Sequence, residues 1–130
     1  MGQPAAKKGD QITGVCIHTV MVPAPSGVAP TPLPHPFTGI LDGELSADVN
    51  IMGQPAATVD STASNTPQHI PTPPGTSFQS PPGNKATVKM GSVTVKINGK
   101  AAARAGDQAE TCDELKVPAV ITAVSTVMTG

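Results

Sequence analysis

Apolar and polar residues alternate along this chain with a period of two, and the spacing of a helix is hard to find anywhere. Val88-Lys89-Met90 and Val93-Thr94-Val95-Lys96-Ile97 put apolar side chains on one face and polar ones on the other, the pattern of half-buried strands. Asn98-Gly99 tolerates positive φ at both places and predicts a turn, and Gly91-Ser92 separates the two runs in the same manner. Val49-Asn50-Ile51-Met52-Gly53 repeats the pattern earlier, and residues 120–128 repeat it near the C-terminus. The chain reads as all-β, with short strands punctuated by glycine and proline.

A strand signal of this kind precedes a string that occurs three times. Gly2-Gln3-Pro4-Ala5-Ala6-Lys7, Gly53-Gln54-Pro55-Ala56-Ala57-Thr58 and Gly99-Lys100-Ala101-Ala102-Ala103-Arg104 start 51 and 46 residues apart. Gly9-Asp10, Asp60-Ser61 and Gly106-Asp107 close the copies, so the repeated motifs occupy residues 2–10, 53–61 and 99–107. Such repetition predicts one structural unit used three times around an axis. The first copy has no strand before it, and residues 117–130 supply the replacement. Val127-Met128-Thr129-Gly130 imitates Asn50-Ile51-Met52-Gly53, so the last strand is expected to close the ring beside the first copy, with both termini close together. The 130 residues make a single domain.

Composition explains what such a fold needs. Only 2% of residues are aromatic, with no Trp or Tyr, so the core is poor in large apolar side chains and calls for a staple. Two cysteines are a poor disulfide framework, and three histidines make a metal the better candidate. His18 lies 16 residues after Gly2, His69 lies 16 after Gly53, and Cys112 lies 13 after Gly99, so each unit offers one donor at a matched place. Cys16, two residues before His18 and on its face of a strand, can replace one ligand, although a small buried thiol is its ordinary role. His35 is held between Pro34 and Pro36 in the first of two proline-rich segments, Pro23 to Pro36 and Pro67 to Pro82.

A net charge of -1 with 13% charged residues removes the electrostatic footprint of a nucleic-acid binder. The N-terminus has no apolar leader, and the longest apolar stretch, 117–128, is short and interrupted, so a cytoplasmic product without an export signal is expected. No HExxH and no nucleophile elbow is present, and Asp10, Asp60 and Asp107 follow the turn chemistry in which a carboxylate bonds backbone amides. The expectation is therefore a protein that is not an enzyme. The rival classes are a zinc-dependent hydrolase and a proline-rich binding adaptor.

The three motifs resemble the repeats of the PAAR family, named for Pro-Ala-Ala-Arg, of which Pro4-Ala5-Ala6-Lys7, Pro55-Ala56-Ala57-Thr58 and Ala101-Ala102-Ala103-Arg104 are degenerate copies. The second copy departs most, with Thr58 at the basic place and Asp60-Ser61 for Gly-Asp. The resemblance implies a small cone that caps and sharpens a trimeric spike of the valine-glycine-repeat type, one tip per trimer, in type VI secretion or a phage-like contractile injection machine. It implies a structural piercing role, loading in the cytoplasm, ejection to the exterior or a target cell, only transient passage through the target membrane, and room for a carried effector. It also implies a zinc-stapled apex with three histidines and one cysteine, which map onto His18, His35, His69 and Cys112, leaving Cys16 over.

Overall fold

The computed structural model describes residues 2–25, 27–114 and 116–129. Among these residues there is no helix. The strands are β1 (Gln3–Pro4), β2 (Gln11–Ala24), β3 (Gly27–Gly43), β4 (Asn50–Ile51), β5 (Gln54–Pro55), β6 (Thr62–Asn65) and β7 (Ser77–Phe78), then β8 (Lys85–Val88), β9 (Lys96–Ile97), β10 (Lys100–Ala101), β11 (Gln108–Glu110), β12 (Ala119–Thr122) and β13 (Met128–Thr129).

Each copy of the motif opens the same sequence of elements. A strand rises from it, a second returns, and a two-residue hairpin leads into the next copy. β2 and β3, β6 and β8, and β11 and β12 are the three rising and returning pairs, and all neighbours are antiparallel. β12 also pairs with β2, with Ile121 opposite Ile12, so the six strands close on themselves. A ring of six strands has a narrow interior, and small side chains fill it. Ala63, Ala86, Ala109 and Ala119 are buried there beside Ile12, Phe37, Leu41, Val88 and Ile121. The scarcity of large apolar residues is thus a property of the bore.

The base hairpins follow the repeat. β4 pairs with β5 across Met52-Gly53, and β9 with β10 across Asn98-Gly99, with both turn residues left-handed in each case (φ 51 and 82, then 53 and 80). The third hairpin is made by the chain's two ends, because β1 pairs with β13. Thr129 faces Gln3 as Ile51 faces Gln54, so Val127 corresponds to Val49. This is one residue out of step with the match of Val127 to Asn50 expected from sequence, which aligned the terminal glycine rather than the paired positions.

Inside the hairpins the motifs form a ring of their own. Ala6 N–H donates to Ala103 O (2.9 Å), Ala103 N–H to Ala57 O (3.0 Å), and Ala57 N–H to Ala6 O (3.0 Å), closing a cycle of backbone hydrogen bonds. The three alanines are 0–1% exposed, and any larger side chain would hold the backbones apart. The closing residues of each motif bend the chain from ring to strand. Asp10 accepts from Lys7 N–H, Asp107 from Arg104 N–H, and the Ser61 hydroxyl from Thr58 N–H, so Ser61 does in the second copy what aspartate does in the others. Asp60 stands where Gly9 and Gly106 stand and takes the same left-handed backbone, φ 79 against 92 and 87.

Three sequence expectations change. Of Val93–Ile97 only Lys96–Ile97 is strand, and Val93 is 90% exposed. Ser92 delays the start of the strand, since its hydroxyl accepts from the Thr94 and Val95 amides, and Gly91-Ser92 is accordingly no hairpin turn. The strand expected at 88–90 lies at 85–88. The segment from Pro23 to Pro36, read from sequence only as proline-rich, lies in the long hairpin of β2 and β3. Pro30, Pro32, Pro34 and Pro36 share one face of β3 and are exposed, so their missing N–H groups fall on the outer edge while Leu33, His35 and Phe37 turn the other way.

Candidate metal centre

The motif ring lies before the rising strands, whereas the donors lie along the far part of the β2–β3 hairpin or in the connections that follow β6 and β11, so the two sit at opposite ends of the barrel. β2 carries Cys16, His18 and Val20 inward on alternate residues. Register places His35 on β3 directly across from Cys16. His69 comes from the connection after β6, and Cys112 from the connection after β11. The connection 67–82 is drawn tightly over the hairpin, with Thr76 and Gln79 donating backbone N–H groups to Met21 O and Thr19 O. A Cβ added to Gly75 would come 2.5 Å from Val20, so only glycine allows that approach.

The three imidazoles form a nearly equilateral triangle, with centroids 5.5 Å apart for His18 and His35, 5.0 Å for His18 and His69, and 5.6 Å for His35 and His69. Phe78 packs on His18 and His35 at 5.8 and 5.3 Å, and Phe37 on His69 at 6.0 Å. Cys16, His18, His69 and Cys112 bring one donor atom each within 4.8 Å of all the others. The structure thus brings together His18, His69 and Cys112, which the matched offsets single out, with Cys16, which the resemblance leaves over. Its signal was the two-residue spacing to His18.

His35 stands in the triangle with both ring nitrogens engaged. Nδ1–H donates to Leu33 O (2.9 Å), and Nε2 accepts the Thr72 N–H (3.2 Å). The first bond is the outer contact that fixes the tautomer of a ligating histidine, and the second uses the lone pair a metal would take. His18 is oriented similarly, with Nδ1 3.4 Å from the Glu114 carboxylate and Nε2 3.4 Å from Cys112 Sγ. Glu114 is itself held by Thr19, whose N–H and hydroxyl donate to it at 2.9 and 3.0 Å.

The donor set fits a tetrahedral ion of zinc's kind. Two sulfurs bound at about 2.3 Å to one tetrahedral ion stand about 3.8 Å apart, and a sulfur and an imidazole nitrogen about 3.6 Å. Cys16 Sγ and Cys112 Sγ are 3.8 Å apart, and Cys112 Sγ is 3.4 Å from His18 Nε2. His69 Nε2 is buried without a hydrogen-bond partner, an orphan that a metal would satisfy. Protonation is also suitable. A hydrogen bond from Cys16, aided by one from His18 and opposed by burial, holds the Cys112 thiol down to about 4. The same sulfur contact, with burial, pushes Cys16 far above the thiol range. Burial holds His35 and His69 below the usual imidazole value, so both rings stay unprotonated near neutrality.

A family model described as the PAAR motif matches residues 32–111, more than half of the chain. The match takes in the second and third motif copies with His35 and His69, and it stops one residue before Cys112. No curated protein and no solved structure matches the chain.

Proposed function

The chain belongs to the PAAR-motif family of structural spike-tip proteins of contractile injection systems, and on that premise we propose that it caps a trimeric spike as its rigid point. The closed ring of Ala6, Ala57 and Ala103 carries this reading. It gives one chain a base of threefold pattern, which suits a partner that ends in three equivalent subunits. Each base unit also leaves an apolar side chain exposed, Met128, Met52 and Val93 in turn. A contact made of these and of backbone edges is mainly apolar, so its affinity changes little with salt.

Zinc, when bound, supplies a cross-link among connections too small to hold a core. His18, His69 and Cys112 are three of its donors, one from each unit. The fourth position has two claimants on opposite sides of one strand pairing. His35, the donor the resemblance names, must release the Thr72 amide, whereas the Cys16 sulfur already stands in position and need only lose its proton. Either choice gives four protein ligands, the closed set of a structural site, while a hydrolytic zinc keeps a place for water. The role proposed is mechanical and noncatalytic: assembly on the machine in the cytoplasm, ejection with the spike, brief passage through a target envelope, and carriage of any effector without a covalent link.

The test is titration of the purified tip against its cognate spike trimer with native mass spectrometry. One tip per trimer, with one zinc per tip and binding that survives moderate salt, is expected. Three tips per trimer, or none, would refute the capping role.

A further inference from the structure

Cys16 and Cys112 are both free, come from strand β2 and from the connection after β11, and bring their sulfurs to 3.8 Å. They differ in access. Cys16 is 0% exposed and held by the Thr111 hydroxyl at 3.3 Å, whereas Cys112 is partly open and lies outside any strand. This is the arrangement of a thiol pair in which the outer sulfur meets an oxidant and the inner one resolves the product. A disulfide needs its sulfurs at about 2.05 Å, so closure requires Cys112, which lies in a connection and outside any strand, to move toward Cys16.

We propose that Cys16 and Cys112 form a reversible redox switch, in which oxidation joins them as a disulfide and withdraws the thiolate from the metal centre. With hydrogen peroxide as oxidant, the Cys112 thiolate attacks one peroxide oxygen. The S–O bond forms, the O–O bond breaks, and hydroxide leaves. The Cys16 thiol then attacks the Cys112 sulfur, so that the S–S bond forms, the S–O bond breaks, and the hydroxyl departs with the thiol proton as water. The two sulfurs together lose two electrons, and the peroxide is fully reduced to water. The joined sulfurs offer no thiolate, and imidazoles alone remain as donors. This loss of metal holds whichever of His35 and Cys16 fills the fourth position. The disulfide itself is independent of the metal reading, and only its effect on zinc rests on that reading.

The experiment treats zinc-loaded protein with graded hydrogen peroxide and follows intact mass after denaturation, thiol alkylation and zinc release to a chromogenic chelator. Wild type is expected to lose the mass of two hydrogens, to protect both thiols from alkylation, to release its zinc, and to rebind zinc after treatment with a thiol reductant. Cys16→Ser, which keeps the size of the side chain, is expected to gain two oxygens at Cys112 and to recover no zinc binding on reduction. Wild type that gains oxygens at Cys112 while Cys16 remains open to alkylation overturns the proposal. Should Cys16→Ser fail to fold, that wild-type result still decides. Zinc measured before oxidation tests the metal reading separately, since a zinc-free protein can still form the disulfide.

Discussion

At the base, three alanines meet through backbone hydrogen bonds of 2.9–3.0 Å, while at the apex the same three units meet through the side chains of Cys16, His18, His69 and Cys112. The first junction uses groups that every residue carries and that no proton, oxidant or chelator removes at ordinary pH. The second is built from thiols and imidazoles, groups that protons, metal ions and oxidants can each engage. One fold is thus closed at one end unconditionally and at the other conditionally, and perturbations should separate the two.

Removal of zinc should act most strongly. Chelation is expected to cost several kcal/mol, with hydrogen exchange accelerating in residues 16–22 and 69–79 while the amides of Ala6, Ala57 and Ala103 keep their protection. Equal loss of protection at both ends would show one cooperative unit and abolish the contrast. The converse perturbation is Ala57→Leu, which forces a large side chain into the ring. It should destabilise by about 1–3 kcal/mol, read by denaturant unfolding, while the zinc content of the folded fraction is unchanged.

Acid should distinguish the junctions next. In the metal-free protein Cys112 titrates at about 4 in place of 9.0, so its contribution is complete above pH 9.0 and is lost as pH falls toward 4. His35 and His69, lowered from 6.5 by burial, add to the loss below pH 6.5. Cys16, raised by its sulfur contact and burial, has the opposite sign, with stability present below 9.0 and lost above it. The unfolding midpoint of metal-free protein should therefore fall steadily from mildly alkaline to acidic pH. A flat profile across that span would remove the conditional character of the apex.

Smaller effects sharpen the picture. Glu114→Gln keeps the shape beside His18 Nδ1 but removes the charge, and zinc affinity measured by competition should fall about tenfold. Asp60→Gly puts glycine at φ 79, where the other two copies have it. It sacrifices the weak, exposed contact of Asp60 with Lys100 at 3.6 Å and should raise stability by less than about 1 kcal/mol. A loss of stability would mean that the second motif is adapted to its aspartate.

The ring and the donors were legible for the same reason: both recur at fixed offsets, and repetition survives changes such as Ser61 for aspartate. The long hairpin was less legible because a proline-rich composition does not by itself signal a strand. The clue was the alternation of Pro30, Pro32, Pro34 and Pro36, a period of two that only a strand requires. Cys16 was visible as a same-face neighbour of His18, but its approach to Cys112 depends on how β12 closes against β2, which no local pattern encodes. The extent of β9 was hidden because the Ser92 hydroxyl binds the Thr94 and Val95 amides and delays the start of the strand, overriding the apolar alternation of Val93 and Val95.

The pairing of β1 with β13 and of β2 with β12 also sets an order of events during synthesis. Residues 3–13 are synthesised long before their partners at 120–129, so neither barrel nor base can close until those partners have emerged. Such long-range closure makes folding slow and late. A chain cut short anywhere before β12 keeps an open edge along β2 and a first motif whose hairpin is missing one strand. A truncation of that kind leaves both closures unmade.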